Sequence, residues 1–268
     1  MQFAFVANEL KEEQAQDRNP ACRSVQRKGL NILAAAVFAT LTSTATLAAD
    51  DISGVAIGSS LAEAKAAIAE ANANYEITPL MLTNGQEAGV TAKTNDLMPW
   101  TGSNNAGGPS DEFAALLNDA GKVWFVARVQ RFDKGGRIKL DALKEALIEK
   151  FGQPSGTTKI GTLGFNWQYF RDGKQWTGSG VAPCQGNGTT TTIPGVSVTA
   201  PRSFSPKCGK IVSVHAATQP DMMVPYYTIT ITDAKGMFDE LAARDAKEEA
   251  DRKQKLADEQ AKAVKPKI

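Results

Sequence analysis

Apolar positions recur at helical spacing in two stretches of the chain. Leu61, Ala64, Ile68, Ala71 and Tyr75 share one helical face, with Ser60 as N-cap and Glu63 three residues on to complete a capping box, so the pattern predicts a helix near residues 60–72. Leu140, Leu143, Leu147 and Phe151 form a second stripe; Gly152 suits the left-handed position that ends a helix, and Pro154 blocks continuation. Elsewhere the pattern is that of strands. Residues 75–82 and 89–94 are strands separated by Asn84-Gly85, a turn dipeptide. Asp119-Ala-Gly121 precedes the β-branched and aromatic run of residues 123–132 and marks a hairpin, although residues 112–118 taken alone also suit a helical turn. Asp172-Gly173, between residues 165–171 and 174–176, is the strongest hairpin signal in the chain, and residues 210–216 and 224–232 add two strands.

Alternation along residues 123–132 puts Val123, Phe125, Ala127 and Val129 on one face, and Trp124, Val126 and Phe132 on the other with Arg128 and Gln130. The sheet is therefore expected to be covered on one side and only partly on the other. The fold class that follows is α+β: a mainly antiparallel sheet with two packed helices and a charged C-terminal helix. Its divisions are an N-terminal extension and signal peptide over 1–49, an α+β domain over 50–235 and a charged helical tail over 236–268.

The tail is read from its charges. Glu240–Arg244, Glu248–Arg252, Glu249–Lys253, Asp251–Lys255 and Asp258–Lys262 each place an acid four residues before a base, the favourable order for helix pairs. Beyond Met237, Phe238 and Leu241 the apolar positions are nearly all Ala until Leu256, too thin a stripe for a strong coiled coil. A solvated helix is the simpler reading; a partner-binding or weakly self-associating helix is the alternative. Two polar segments interrupt the domain. Residues 101–110 read as an exposed loop, and residues 178–207, rich in Gly, Thr, Ser and Pro, as a long excursion.

The first fifty residues read as an address. Arg27-Lys28 precede an apolar run that becomes small and hydroxylated toward Ala48-Ala49, before Asp50-Asp51. Basic, apolar, then small is the order of a secretory signal, with cleavage near Ala49. A retained membrane anchor is the rival reading, but the strongly apolar part spans only Leu30 to Leu41, where a spanning helix needs about 20 predominantly apolar residues. No Cys follows the run, so a lipoprotein signal is absent. Residues 1–24 are more polar than a signal's start, and initiation at Val25 would account for them. The expected location is periplasmic or secreted, with membrane contact only through the transient signal.

This address changes the reading of the cysteines. Cys22 falls in the removed segment, leaving Cys184 and Cys208, with no Cys-x-x-Cys spacing. In an oxidising compartment such a pair reads as one structural disulfide closing the 178–207 excursion. Composition is that of a globular chain: 268 residues, 42% hydrophobic and 22% charged. Its 30 bases and 29 acids give no field to hold nucleic acid.

Candidate chemistry is sparse. The single His215 cannot supply a metal site of two or three imidazoles, and no Gly-x-Ser-x-Gly stands in the chain to provide a partner nucleophile. Asp111-Glu112 reads as a solvated pair of carboxylates rather than an acid/base pair. No Walker loop or dinucleotide fingerprint occurs, and no cofactor is expected. Arg128, Arg131, Lys134, Arg137 and Lys139 cluster near one hairpin end, with Arg128, Arg131 and Arg137 as candidate binding residues; a protected strand edge is the alternative. Trp100, beside the 101–110 loop, is the aromatic candidate for a contact residue.

Two segments carry a resemblance: Ile52-Ser-Gly-Val-Ala-Ile-Gly-Ser-Ser-Leu-Ala-Glu-Ala-Lys65, and the strand–helix unit running from Val123 to Phe132 and from Leu140 to Phe151-Gly152-Gln-Pro154. They resemble signal-bearing periplasmic proteins of proteobacteria, and the glycine-then-short-helix opening is similar to modules of the small outer-membrane lipoprotein and β-lactamase-inhibitor-protein type. The chain departs from these in lacking a lipid-anchor Cys and in its long disulfide loop. The resemblance implies no catalytic residue. The expected function is a non-enzymatic binding or protein-interaction module of the envelope, with a protein or envelope component as partner and no nucleic acid. A hydrolase using His215 and a purely structural envelope component are the alternatives.

Overall fold

A computed structural model describes residues 50–99, 107–160, 162–185, 189–265 and 267. The first helix, α1, runs Leu61–Ala71, and its start is fixed as the sequence requires. The Ser60 hydroxyl accepts from the Glu63 amide at 3.3 Å, while the Glu63 carboxylate accepts from the Ser60 amide at 2.7 Å. Ala64 and Ile68 are its buried face. Helix α2, Leu140–Phe151, buries Leu140, Leu143, Leu147 and Phe151, and Gly152 leaves it with φ of 76°. Both helices pack on one face of an eight-stranded antiparallel sheet.

In chain order the sheet strands are β1 (Glu76–Met81), β2 (Glu87–Lys93), β3 (Asp111–Leu117), β4 (Val123–Arg131), β5 (Gly156–Ile160), β6 (Thr162–Phe170), β7 (Cys208–Ala216) and β8 (Tyr226–Asp233). Their spatial order is β5-β6-β7-β8-β4-β3-β2-β1. Each half of the sheet is thus a helix followed by a four-stranded meander, α1 with β1–β4 and α2 with β5–β8. The halves join where their last strands, β4 and β8, pair antiparallel. Aligning Leu61 with Leu140 sets buried Ala64 and Ile68 of α1 against buried Leu143 and Leu147 of α2. This tandem organisation follows from the topology; no single segment of the sequence announces it.

The helix-covered face holds the main core, with Phe113, Val126, Phe165, Trp167, Val212 and Ile231 among its buried side chains. Trp167 is fully buried, and its indole donates to the Gly152 carbonyl at 2.9 Å, tying the end of α2 to β6. A short N-terminal strap, in which Asp51–Ile52 pairs with Val55–Ala56, lies against β4 and β8. Ile52 and Val55 fill the core there. Asp50, in front of the strap, pairs with Lys210, and Asp51 pairs with Lys150 of α2 at 2.8 Å.

The opposite face is roofed over the first half, and over the second half only at the end where Cys184, Cys208, Phe204 and Ala234 pack with Ile211. Part of the 178–207 excursion folds into a small hairpin, Thr190–Thr192 with Thr199–Pro201. Its Ile193, Val196, Val198 and Ala200 pack on Ala114, Phe125, Ala127 and Val129. The Cys184–Cys208 disulfide closes this excursion and anchors it to the start of β7. The segment expected as a surface loop is therefore a second layer of the fold.

Four local expectations are revised. The Asp119-Ala-Gly121 hairpin forms, with Gly121 at φ 70°. A bulge, however, sets Leu116 opposite Phe125 and Leu117 opposite Val123. The extra residue turns Val123 toward the helices and Trp124 toward the roof, against strict alternation. The Asp172-Gly173 turn closes, but its return arm makes only the Tyr169–Gln175 bridge, because the edge of β6 over residues 162–166 is occupied by β5, a strand the pattern did not signal. Asp111 and Glu112, expected in solvent, are buried. Helix α3, Ala234–Ala261, begins inside the domain rather than after it. Met237 packs under the roof, Asp239 pairs with Arg171 at 2.5 Å, and Arg244 pairs with Asp119 at 2.7 Å. From residue 250 onward the helix is exposed.

Candidate functional site

The chemistry of the second face changes at the seam between the halves. One row of paired residues crosses all eight strands as Thr78, Thr91, Ala114, Ala127, Thr230, Ser213, Asn166 and Gly156. Every member is small, so another layer can approach closely. The roof lies on Ala114 and Ala127. Beyond the seam Thr230, Ser213 and Asn166 remain half-buried, and the next row continues with Thr228, His215 and Gly164. Apart from Gly164, which is buried, these positions form an open floor of hydroxyls, an amide and one imidazole, without a carboxylate, guanidinium or ammonium among them.

His215 is exposed on this floor and, among the described residues, its side chain makes no hydrogen bond. A catalytic imidazole needs an orienting acceptor and a nucleophile in reach, and among the described residues neither is hydrogen-bonded to it. Among the described residues no group of three or more His, Cys, Asp and Glu is placed to hold a metal. No described helix is long and apolar enough to cross a membrane.

The three candidate arginines are not brought together: Arg128 and Arg131 lie on β4, which is central and not an edge, and Arg137 lies outside the eight-stranded sheet, before α2. Arg128 stands on the helix-covered face, in a row otherwise made of Ile77, Ala92, Phe113, Ile229, Val214, Phe165 and Thr157. Its guanidinium donates to both oxygens of Asp111, at 3.0 and 2.6 Å, and to the Ser53 hydroxyl of the strap at 2.6 Å. Burial opposes its charge, but the hydrogen bonds and charge of Asp111 outweigh this and raise its pKa. Burial likewise pushes the nearby Tyr75 and Tyr227 hydroxyls up, with Asp111 adding to both. Both tyrosines therefore stay protonated.

Arg131 faces the roof. It donates to Glu112 at 2.8 Å and to the Pro109 carbonyl at 2.7 Å, and both charged side chains are only 2% exposed. Glu112 also accepts from the Ser197 amide at 3.1 Å, which latches the roof to the sheet. Arg137 lies at the far end, paired with Asp221 at 2.9 Å. Trp100 lies outside the described residues. Asp111 and Glu112 meet their arginines diagonally across the β3–β4 hairpin, which strand alternation alone does not show, and Ser197 reaches Glu112 from 85 residues away; only the adjacency of two acids in an otherwise apolar strand hinted at them.

No protein-family model, curated protein or solved structure matches the chain.

Proposed function

We propose that this chain is an exported, non-enzymatic interaction module of the cell envelope, and that a protein partner covers the open half of its second sheet face. One observation carries the reading: the row of small residues is roofed by the chain's own hairpin over Ala114 and Ala127, and left open over Thr230, Ser213 and Asn166. The roofed half supplies the mode of contact, an extended segment laid on small side chains. The floor supplies the chemistry, an uncharged partner surface that exchanges hydrogen bonds with hydroxyls and an amide. Because no charge is buried in such a contact, its desolvation cost is modest.

Export is supported by the signal-like order of residues 27–49 and by the disulfide, which is compatible with an oxidising compartment. The strap adds to this, since Asp50 and Asp51 are held by Lys210 and Lys150 immediately after the expected cleavage point. The hydrolase alternative using His215 gains nothing from an imidazole without a side-chain partner.

The test is cross-linking in intact cells with the full chain carrying a C-terminal tag, followed by mass spectrometry of bait and partners. A bait beginning near Asp50, bridged at Cys184–Cys208 and carrying a recurrent envelope protein that Ser213→Arg removes, is the expected result. A reduced, full-length bait with cytosolic company overturns the export reading. Unchanged recovery of the partner with a folded Ser213→Arg protein overturns the assignment of the face.

A further inference from the structure

The eight-stranded sheet ends in two edge strands, β1 and β5, and each presents a row of backbone groups that a further strand can pair with. Which groups face outward follows from the hydrogen bonds within the sheet. The Thr94 amide donates to the Asp111 carbonyl at 3.0 Å, so β2 turns Thr94 and Ala92 toward β3 and Thr91 toward β1. Thr91 is paired with Thr78, and the next residue of β1, Pro79, therefore faces outward. Proline has no N–H, and it closes the middle of that edge to pairing.

β5 carries no such guard. The Asn166 carbonyl accepts from the Ser155 amide at 2.8 Å, so Asn166 and Gly164 turn their backbone groups toward β5. Their partners there are Gly156 and Thr158. Thr157 and Lys159 consequently point amide and carbonyl away from the sheet, and among the described residues no hydrogen bond meets those groups. Thr157 and Thr158, on opposite faces, are both exposed, so neither the helices nor the roof covers this edge.

The edge is complementary to itself. Turned antiparallel about Thr158, a second β5 sets Thr157 opposite Lys159 of the partner subunit, and Lys159 opposite Thr157 of the partner subunit. Every outward amide and carbonyl of both strands is then satisfied. The two Thr158 residues meet across the axis, a cross-strand pair that stabilises sheets. Sliding the pairing by two residues sets Lys159 against Lys159 in one direction, and against Ser155, outside the strand, in the other. We infer that two copies of this chain join edge to edge through β5, continuing the antiparallel sheet across a twofold axis perpendicular to it. The open floor reaches this edge at Gly156 and Thr158, so the pair presents the floors of both copies on one surface. The inference does not depend on what covers that floor.

Sedimentation equilibrium of the full, disulfide-bonded protein, from micromolar to millimolar concentration, tests this, and a monomer–dimer equilibrium is expected. Thr157→Pro removes one outward N–H from each copy, a group without an intramolecular partner, so the monomer keeps its fold by circular dichroism. Its dimer is weaker by about tenfold or more, whereas Thr157→Ala, which keeps the N–H, changes the affinity by less than about threefold. Thr158→Cys brings two thiols face to face at a non-hydrogen-bonded pair, with Cα atoms about 4.5 Å apart, where mild oxidation links them. A monomer throughout the range, equal association of the Thr157→Pro and parent proteins, or introduced thiols that stay unlinked while the dimer forms overturns the inference. None of these results touches the reading of the open face.

Discussion

Asp111 and Glu112 are consecutive in β3, yet their carboxylates close salt bridges on opposite faces of the sheet, 2.6 Å from Arg128 and 2.8 Å from Arg131. Alternation along a strand requires the split. Arg128 and Arg131 lie three apart on β4, so they too point to opposite faces, and each meets its acid diagonally across the strand pair. One ion pair lies beneath the strap and the other beneath the roof.

The roof latch is the more deeply buried of the two. Glu112→Met leaves Arg131 without its carboxylate and frees the Ser197 amide, so a loss of about 3–5 kcal/mol is expected. Urea unfolding measures this, and limited proteolysis near residues 193–200 reports whether the roof detaches first. A loss below about 1 kcal/mol would refute the latch.

Removing the disulfide acts on the same layer from its other end. The bridged residues are 24 apart in sequence, so replacing both with Ser is expected to cost about 3–4 kcal/mol by the chain-entropy relation. Hydrogen exchange should quicken over residues 189–204 while α2 and β6 keep their protection.

Asp51 gives the strap a pH dependence. Burial pushes its carboxyl up, but the Lys150 ammonium and the Gly54 amide outweigh this and hold it below the usual carboxylate range. A lowered native pKa contributes stability above the unfolded-state pKa, and that contribution is lost as pH falls through the native one. Asp51→Asn should therefore be less stable than the parent at neutral pH, and the gap between their urea midpoints should close on acidification toward about pH 3. A gap that stays constant with pH would contradict this role.

The tail divides by its contacts. Met237, Asp239 and Arg244 tie the start of α3 to the domain, whereas the ion pairs recorded beyond them, Glu249 with Arg252 and Lys253, stay within the helix. Deleting residues 246–268 should change stability by no more than about 0.5 kcal/mol. Deleting from residue 236 removes the docked turns as well and should lower the melting temperature clearly.

What could be read from the sequence was local. The capping box of α1, the stripe and terminal glycine of α2, the Asn118–Lys122 turn and the acid-before-base order of α3 each lie within a few residues, where propensity and spacing decide. The α+β class followed from these. What escaped depended on how elements pair with one another, whether adjacent or far along the chain. β5, Gly-Thr-Thr-Lys-Ile, is a strand because β6 offers it an edge. Trp124 turns toward the roof because β3 opposes two residues with one. The roof's Ile193, Val196 and Val198 look isolated among Gly, Thr and Pro, until the face they cover is known. The candidate arginines were noticed for their charge, but Arg128 and Arg131 are paired with acids of the neighbouring strand β3, and Arg137 with Asp221.

The seam between β4 and β8 joins the final strands of two meanders, through seven residue pairs from Tyr226–Arg131 to Thr232–Phe125. Within each meander neighbouring strands are neighbours in sequence, so most sheet contacts close over short loops. The seam is where distant parts of the chain must find each other, much as two subunits would. A chain cut in the turn between β4 and α2 should thus yield two pieces able to reassemble along that line, each bringing its own helix and four strands. Covalent continuity there serves mainly to hold the pieces at high local concentration.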